Sequence, residues 1–312
     1  MKTTILVIYG GPGNEHEVSI ASAENVIASL NQDLYDVQKV FVQKNMSCVL
    51  HGEEVPLLEM LQKISKSSII IPVFHGSFGE GGELQKMLED LNLVYVGSKS
   101  HAAALAMDKK RTQELLSLQG ILVPKTVVVT SLSQEIDSIF PSIVKPNNEG
   151  SSIDLYRIGN KEELHEVLTK VIPLHSEVLV QEFVTGREFT CGVIEKKNEL
   201  FAFMPTEIIL TKGELFDYTA KYSVGGCQEI TPANVSLHIT QEIQKLAIDA
   251  HKTIGCKDIS RTDMMIKDDG TIVVLEVNTM PGMTKTSFIP AQAKASGYTL
   301  SEILDIVIHN YL

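Results

Sequence analysis

Cysteine is scarce in this sequence of 312 residues, which contains four cysteines and no Cys-x-x-Cys pair. A disulfide framework or a structural zinc site needs cysteines in closely spaced sets. The wide spacing therefore predicts neither kind of site and indicates reduced, buried thiols. The four residues are Cys48, Cys191, Cys227 and Cys256.

Long apolar runs are also missing, although 44% of the residues are hydrophobic and the mean hydropathy is +0.08. No run approaches the roughly 18 residues that a membrane-spanning helix needs. The opening residues, MKTTILVIYGG, contain a short apolar stretch without a small-residue cleavage site, which indicates a first strand rather than a signal peptide. We expect a soluble cytoplasmic protein with no membrane partner.

Positive charge is in the minority, since 27 lysines and arginines stand against 39 aspartates and glutamates, a formal net charge of −12. A general nucleic-acid surface needs clustered cations that replace counterions. The composition therefore argues against a nucleic-acid partner. An anionic small ligand would have to be bound by a few individually placed lysines and arginines.

The length allows two domains of the usual ~150 residues, or three smaller ones. Over about the first hundred residues, β-rich runs alternate with helical patterns, and this β-α-β order predicts a parallel sheet covered by helices. Beyond it we expect a smaller α+β unit and then a third group of elements. The predicted strands are 3–9, 68–74, 93–98, 122–129, 142–145, 177–184 and 187–195, and the predicted helices are 17–30, 82–91, 107–120, 160–171, 236–254 and 299–312.

The stretch FPSIVKPNNEGSS, residues 140–152, brings Lys145 out of the end of an apolar run and follows it with a Gly/Ser-containing loop. In a P-loop the lysine comes after the glycines and opens a helix. Here a phosphate would instead be held by a lysine on a strand and by N–H groups of the loop beyond it. The alternative is an edge strand that ends in a solvated Lys-Pro turn.

The segment RTDMMIKDDGTIVVLEVN predicts a hairpin, because two β-rich runs flank Asp269 and Gly270. With these as the two turn residues, Asp263 lies opposite Glu276, and Asn278 shares their face. Opposed carboxylates repel each other in a partly buried sheet, and a hard cation removes that cost. Carboxylate and amide oxygens suit Mg²⁺. The alternative is a solvent-facing strand with scattered polar residues.

Taken together, the motifs resemble the ATP-grasp superfamily and, within it, the D-alanine–D-alanine ligases. The match runs almost end to end and rests on GGPGNEHEVS, HGSFGEGGELQ, MDKKR, IVKPNNEGSS, EVLVQEFVTGREFT, FDYTAKY, SRTDMM and LEVNTMPGMTKTS. The resemblance implies a three-domain ATP-grasp architecture of α/β and α+β type. Its parts are a Rossmann-like parallel-sheet domain at 1–98, a central subdomain at 99–184 and a C-terminal subdomain at 185–312.

The resemblance also implies a reaction. Two D-alanines are joined through an acyl phosphate for peptidoglycan precursor synthesis, with ATP as co-substrate, two Mg²⁺ or Mn²⁺ ions, and a homodimer as the assembly. D-Serine in place of the second D-alanine stays open. By the family's pattern Lys109 and Lys145 contact the ATP phosphates, although Lys109 taken alone is better explained as a solvated helix charge beside Lys110 and Arg111. The other matches are Gln181, Glu182 and Val184 in the adenine hinge, Glu188 on the ribose, and Asp263, Glu276 and Asn278 on the metal.

On the substrate side, Glu15 matches the carboxylate that holds the first D-alanine's ammonium, although an acidic residue also favours a helix N-terminus by charge alone. Arg261 and the N–H of Gly282 match the pair that binds the tetrahedral oxyanion. His75 could assist binding or be structural. The remaining matches are Ser151 and Tyr222 bonded to Glu15, Lys221 beside the transferred phosphate, and Ser287 on the second D-alanine's carboxylate.

Two positions depart from the family. Gly81 stands where an aspartate is common and Lys86 where a glycine is common, so the local geometry of this loop near the first-substrate pocket is in question. The Lys221–Tyr222 pair favours an amine over a hydroxy acid as second substrate, because related ester-forming ligases lack it.

Two other classes of protein were weighed. A nicotinamide dehydrogenase is disfavoured, because Gly10, Gly11 and Gly13 do not form G-x-G-x-x-G. A catalytically silent ATP-binding module stays open, although Arg261, Glu276 and Tyr222 together argue against it.

Overall fold

A computed structural model describes residues 2–50, 53–137, 140–150, 153–211 and 226–312, and the strands of this part of the chain form three β-sheets that follow one another in sequence. Ser151, Lys221 and Tyr222 lie outside the described residues. In the described ranges, no helix is both long and apolar enough to cross a bilayer. The domain boundaries at 98 and 184 stay a prediction.

The first sheet has six strands in the order β4-β3-β2-β1-β5-β6. The predicted parallel sheet is confirmed for β2, β1, β5 and β6, and at one edge β3 and β4 run antiparallel to their neighbours. The connection from β2 to β3 is too short for the crossover that parallel pairing requires. The strands are β1 Thr3–Gly10, β2 Tyr35–Val42, β3 Ser47–Leu50, β4 Glu53–Pro56, β5 Ile69–Val73 and β6 Val94–Tyr95.

Five helices of the described residues accompany this sheet, and two of them confirm predictions to within one residue at each end. Ile5, Val7 and Ile8 of β1 are fully buried, as in a parallel strand covered on both faces. The helices are α1 His16–Ser29, α2 Leu57–Gln62, α3 Ser77–Glu80, α4 Glu83–Asp90 and α5 Ser100–Met107.

The predicted helix over 107–120 is present, but it begins two residues later than predicted, because the preceding helix ends at Met107 and Asp108 is not helical. Asp108 has φ −78° and ψ 92°, outside the helical region, and its side chain accepts the N–H of Arg111 as the N-cap of α6, Lys109–Leu118. Aspartate is among the favoured N-cap residues. Lys109 is therefore the first residue of a new helix rather than part of a helix middle.

The second sheet is antiparallel, in the order β7-β10-β8-β9, and one face is covered by α7, Lys161–Val171. Its small core includes Val144 and Val180 from the sheet with Leu164 and Leu168 from the helix. Because β8 lies between β10 and β9, Lys145 does not lie on an edge strand, and that alternative is excluded. The strands are β7 Thr126–Val129, β8 Ser142–Pro146, β9 Tyr156–Ile158 and β10 Val178–Glu182.

The third sheet has the order β14-β13-β11-β15-β16, with β12 paired to β11. One face packs against α8, Leu237–Ile254, which buries Phe189, Met264 and Ala247. The other elements are β11 Arg187–Lys196, β12 Glu199–Ala202, β13 Thr206–Leu210, β14 Cys227–Ile230, β15 Ile259–Ile266, β16 Ile272–Asn278, α9 Phe288–Ala295 and α10 Leu300–His309.

The opposite face of the third sheet carries the polar side chains. Along β15, Thr262 and Met264 are fully buried on the helix side, whereas Arg261, Asp263 and Met265 are only partly buried. Alternate residues of a strand point to opposite faces. The pattern of β15 thus reserves one face for packing and leaves the other to line a site.

The hairpin pairs Asp263 with Glu276, as the sequence predicts, but it does so by a different route. The turn has three residues, 268–270, and ends at Gly270 with φ 84°. A β-bulge at Leu275 then shifts the register by one residue. The two departures cancel, because the longer turn and the bulge each move the pairing by one position.

Asp258 connects the first and third sheets. Its side chain is fully buried and accepts the N–H of Gly97 (2.7 Å), the amide of Asn310 (2.9 Å) and the hydroxyl of Tyr311 (2.5 Å). Burial raises the pKa of Asp258, while these hydrogen bonds lower it in part. The segment after β6, the start of β15 and the C-terminus therefore meet at one carboxylate.

Replacing Asp258 by alanine should lower the free energy of unfolding by about 3 kcal/mol, because three donors lose a buried acceptor. Asp258 has φ 61°, so Asp258→Gly should lose about 1 kcal/mol less than Asp258→Ala, which keeps the strained backbone. Urea unfolding measures both. Equal stability of Asp258→Ala and wild type would contradict this role.

Candidate active site

Two cavities lie against the polar face of the third sheet. The first has a volume of about 600 Å³ and reaches the loops of the first sheet, and the second has a volume of about 540 Å³ and lies between the second and third sheets. They share Lys109, Gly150 and Glu276 in their walls, so the two cavities adjoin. We call the first the substrate cavity and the second the nucleotide cavity, after the ligands that the sequence predicts for their lining residues.

The structure brings the described candidate residues to these two places. The substrate cavity is lined by Glu15, His75, Lys109, Arg261, Glu276, Asn278, Gly282 and Ser287. The nucleotide cavity is lined by Lys109, Lys145, Gln181, Glu182, Val184, Glu188, Asp263 and Glu276.

Lys109 and Lys145 approach the nucleotide cavity from different elements. Lys145 lies on β8, opposite Leu179 of β10, and Lys109 opens α6. The ammonium of Lys109 donates to the carbonyl oxygen of Glu149, in the loop that follows Lys145. A cationic wall is thus assembled from a strand, a helix start and a loop.

The hinge side of this cavity is formed where β10 leads into β11. The N–H of Glu182 donates to the carbonyl oxygen of Lys125 (2.9 Å), and the N–H of Phe183 donates to the carbonyl oxygen of Pro141 (3.0 Å), so the backbone there is fixed to the second sheet. The carboxylate of Glu182 is 3.5 Å from the ammonium of Lys267. Glu188, on β11, lines the same cavity from the third sheet.

Arg261 and Asp263 form an ion pair at the boundary of the two cavities. Asp263 accepts from Nε (2.9 Å) and a terminal nitrogen (2.8 Å) of Arg261, and also from Thr190 (2.5 Å) and Asn278 (3.3 Å). Burial alone would lower the pKa of Arg261, but the charge and hydrogen bonds of Asp263 raise it above its ordinary value. The guanidinium is therefore a permanent cation.

The donors around Asp263 fit a hard cation chemically. Asp263 and Glu276 supply carboxylate oxygens from paired positions, and Asn278 supplies an amide. Among the residues that the structure describes, no group of three or more His, Cys, Asp and Glu side chains is placed to hold a metal. The set offers two carboxylates, so a bound Mg²⁺ would need further oxygens from the amide, water or phosphates.

Glu80 is a partly buried carboxyl that the sequence motifs do not assign to the site. It lines the substrate cavity, accepts the N–H of Gly76 (3.0 Å) and lies 4.0 Å from Nδ1 of His75. Burial, followed by the negative charge of Glu15, raises the pKa of Glu80 to about 8. A signal was available, because Glu15 and Glu80 follow neighbouring parallel strands, β1 and β5, whose carboxyl ends meet.

His75 connects the first sheet to the loop that contains Gly282. Its Nε2 is 3.1 Å from the hydroxyl of Ser22, which accepts the N–H of Met283 (3.4 Å), and Asn25 donates to the carbonyl of Met283 (2.8 Å). Burial lowers the pKa of His75, which keeps the imidazole neutral at pH 7. His75 therefore has a structural contact and also faces the cavity.

The Gly282 loop closes tightly on Ser287. A Cβ at position 282 would lie 2.9 Å from the hydroxyl of Ser287, which itself accepts the N–H of Thr284 (3.0 Å). Glycine at 282 thus lets the backbone N–H lie in the cavity wall close to Ser287.

The two departures from the family's pattern have a local explanation. A Cβ at Gly81 would lie 2.4 Å from the carbonyl oxygen of Ser77, so the turn between α3 and α4 accommodates glycine there. Lys86 forms an exposed ion pair with Asp90, on the outer side of α4.

The chain is similar to known D-alanine–D-alanine ligases over nearly its whole length. The model of the D-ala D-ala ligase C-terminus matches residues 124–309, and that of the N-terminus matches residues 4–63. The D-alanine–D-alanine ligase of Leptospira interrogans is 35% identical over 97% of both chains, and ligase B of Clostridium perfringens is 30% identical over 98% of this chain and 97% of its own.

Solved structures are similar over nearly the whole chain. The VanG D-Ala:D-Ser ligase of Enterococcus faecalis has a TM-score of 0.89 at 31% identity and covers 100% of both chains. The ATP complex of the Bacillus anthracis D-alanine–D-alanine ligase has a TM-score of 0.82 at 29% identity, with 99% of this chain and 96% of that chain covered.

Glu80 should make stability depend on pH. The folded protein retains the Glu80 proton up to about pH 8, whereas the unfolded chain releases it near pH 4.5. The free energy of unfolding should therefore fall as pH rises through this window, and Glu80→Gln should flatten the fall by a few kcal/mol. Urea unfolding at several pH values measures this. Glu59→Gln, on the exposed surface, is the control, and an equal fall in Glu80→Gln would contradict the assignment.

Proposed function

The chain belongs to the D-alanine–D-alanine ligase family, and we propose that it joins two D-alanines at the expense of ATP through an acyl phosphate. Membership of this family makes it a ligase with the three-domain ATP-grasp architecture. The observation that carries the proposal is the shared wall of the two cavities. Lys109 and Glu276 lie in that wall, Lys145 lines the nucleotide cavity, and the partly buried Arg261 lines the substrate cavity.

The first step is phosphoryl transfer from ATP in the nucleotide cavity to the first D-alanine in the substrate cavity. A carboxylate oxygen of the first D-alanine bonds to the γ-phosphorus of ATP, and the bond from that phosphorus to ADP breaks. Lys109 and Lys145 neutralise charge on the phosphates. A bound Mg²⁺, held by Asp263, Glu276 and Asn278, would supply further positive charge to the phosphate oxygens. Glu182 and Val184 in the hinge and Glu188 position the nucleoside.

The second step forms the peptide bond. The amine of the second D-alanine attacks the acyl carbon, the carbonyl oxygen becomes an oxyanion, and its collapse expels inorganic phosphate. Arg261 and the N–H of Gly282 stabilise the oxyanion, and removal of one such donor typically lowers the rate by ~10²–10³. Arg261 uses two of its five N–H donors on Asp263, so it can keep this ion pair while another N–H faces the oxyanion.

The two amino acids occupy opposite ends of the substrate cavity. Glu15 binds the ammonium of the first D-alanine, with Glu80 and His75 beside it, and Ser287 binds the carboxylate of the second. Roles for Ser151, Lys221 and Tyr222 rest on the sequence motifs alone. The similarity to a D-Ala:D-Ser ligase makes D-serine the second candidate for the attacking amino acid.

The wider setting is part of the proposal. The dipeptide would enter the synthesis of peptidoglycan precursors in the cytoplasm, and the working assembly would be a homodimer. The division into units at 98 and 184 is supported by the way the three sheets follow one another in the chain.

The activity is tested by phosphate release from ATP and Mg²⁺ with D-alanine, with D-serine added and with L-alanine as control. We expect release with D-alanine alone and the dipeptide in the mass spectrum.

Lys145→Ala should weaken ATP binding about tenfold or more, because charge-assisted phosphate contacts are lost. Lys86→Ala, on the surface, should not. Unchanged ATP affinity in Lys145→Ala would contradict the phosphate role.

The metal assignment has its own test. Asp263→Asn removes one carboxylate charge from the ligand set and should raise the Mg²⁺ concentration for half-maximal activity by about tenfold or more. Asp249→Asn, on the exposed side of α8, is the matched control. Wild-type Mg²⁺ dependence in Asp263→Asn would exclude Asp263 as a ligand.

A further inference from the structure

Asn147 is a buried side chain beside the nucleotide cavity whose role none of the family's matched positions explains. It follows Pro146, the last residue of β8, and is 1% exposed. A buried asparagine is costly unless all its polar atoms are paired.

Both N–H donors and the acceptor oxygen of this amide are engaged. Its Oδ1 accepts the N–H of Lys110 (2.9 Å), and its Nδ2 donates to Asp108 (3.0 Å) and to Glu177 (2.8 Å). Both acceptors are carboxylates, so the two bonds that Nδ2 donates are charge-assisted and stronger than neutral ones. Asparagine alone among side chains of its size both accepts at one atom and donates twice at the other.

The backbone of Asn147 adds two contacts with the same neighbours. Its N–H donates to the carbonyl of Glu177 (3.1 Å), and its carbonyl accepts the N–H of Lys109 (3.4 Å). The first N–H groups of a helix have no partner within the helix. In α6 those of Lys109 and Lys110 are both satisfied by Asn147.

These bonds connect the two elements that carry the candidate phosphate lysines. Lys145 lies two residues before Asn147 on β8, and Lys109 is the first residue of α6. Both lysines line the nucleotide cavity. Asn147 therefore holds the start of α6 against the end of β8 at the point where the two ammonium groups must converge.

We propose that Asn147 is a positioning residue that sets the spacing of Lys109 and Lys145 for the phosphates of ATP. The phosphate role of the two lysines rests on the proposed function. A phosphoryl group is gripped effectively only when both cations reach it together, and small misplacements of such groups lower rates strongly. Asn147 acts on ATP through the two lysines, without contacting the nucleotide.

The test begins with Asn147→Asp, which keeps the shape but turns the two donors toward Asp108 and Glu177 into acceptors. The KM for ATP should rise about tenfold or more, because two charge-assisted bonds are replaced by repulsion. The KM for D-alanine should stay within about twofold, since the substrate cavity keeps its walls. Asn147→Ser, which keeps one donor, should have a smaller effect of the same kind and serves if Asn147→Asp folds poorly.

Asn160 offers a matched control in the same sheet unit. It is the N-cap of α7, where its side chain accepts the N–H of Glu163 (2.9 Å), and aspartate caps a helix as well as asparagine does. Asn160→Asp should therefore leave the KM for ATP unchanged. A thermal-unfolding midpoint that falls in Asn147→Asp without any change in the KM for ATP would assign a purely structural role and overturn the proposal.

A rescue follows from the bonding pattern. In Asn147→Asp combined with Glu177→Gln, the new amide at position 177 can donate to the new carboxylate at position 147. The KM for ATP should recover in part, because the contact with position 177 is restored while the repulsion between the carboxylates at positions 147 and 108 remains. No recovery, with Glu177→Gln alone neutral, would count against the proposed contact.

A double-mutant cycle with Lys109→Ala decides whether Asn147 works through the lysines. If it does, Asn147→Asp should raise the dissociation constant for ATP by a smaller factor in the Lys109→Ala background than in wild type. Equal factors in both backgrounds would overturn the proposal. Isothermal titration with ATP needs no turnover, so the cycle is informative even if D-alanine proves not to be the substrate.

Discussion

The site depends on how buried negative charge is balanced between the first and third sheets. Asp263 and Glu276 face each other across β15 and β16, and Glu15 and Glu80 line the substrate cavity together with Glu276. Arg261 is a partly buried cation among them, and it is bound to Asp263 at 2.8 Å. Carboxylates buried together are costly unless they are paired, protonated or bound to cations.

That constraint organises the chemistry of both cavities. Glu80 meets it by protonation, since burial raises its pKa to about 8. Asp263 meets it through Arg261, and in the proposed reaction the ammonium group of the first D-alanine and a bound Mg²⁺ would balance the rest. With these cations bound, Arg261 would no longer neutralise Asp263 alone, and its other N–H groups could bind an oxyanion. Substrate binding and the availability of Arg261 to the oxyanion would then be coupled, because both depend on the charge of the same carboxylates.

Much of the fold followed from local pattern, and the failures have physical causes. The helix at 160–171 is marked by its apolar periodicity and its N-cap, and the first strand by a continuous apolar run. The strand β2 was missed because polar residues interrupt its apolar alternation. The helix α5 was not predicted, and α6 begins two residues later than predicted, because Asp108 ends the first helix and caps the second. Sequence composition gives no measure of such a break.

The site residues also divide into those that local sequence motifs predict and those that only the folded structure identifies. Residues that belong to motifs, such as Lys145 and Glu276, were predicted, and the structure places them in a common wall. Asp263 was set opposite Glu276 by a count in which a longer turn and a bulge cancelled. Glu80 and Asn147 were missed, because their importance comes from burial and from partners far away in the chain. Asn147 owes its role to α6 and β10, which no local pattern links to it.

The central claim is that an acyl phosphate joins the two halves of the reaction, and isotope transfer tests it most directly. D-Alanine labelled with oxygen-18 in its carboxylate would be incubated with the enzyme, ATP and Mg²⁺, and the released phosphate analysed by mass spectrometry. If an acyl phosphate forms, we expect one labelled oxygen in the phosphate for each dipeptide formed, because the carboxylate oxygen that bonded to phosphorus leaves with it. Unlabelled phosphate accompanying the dipeptide would contradict the account.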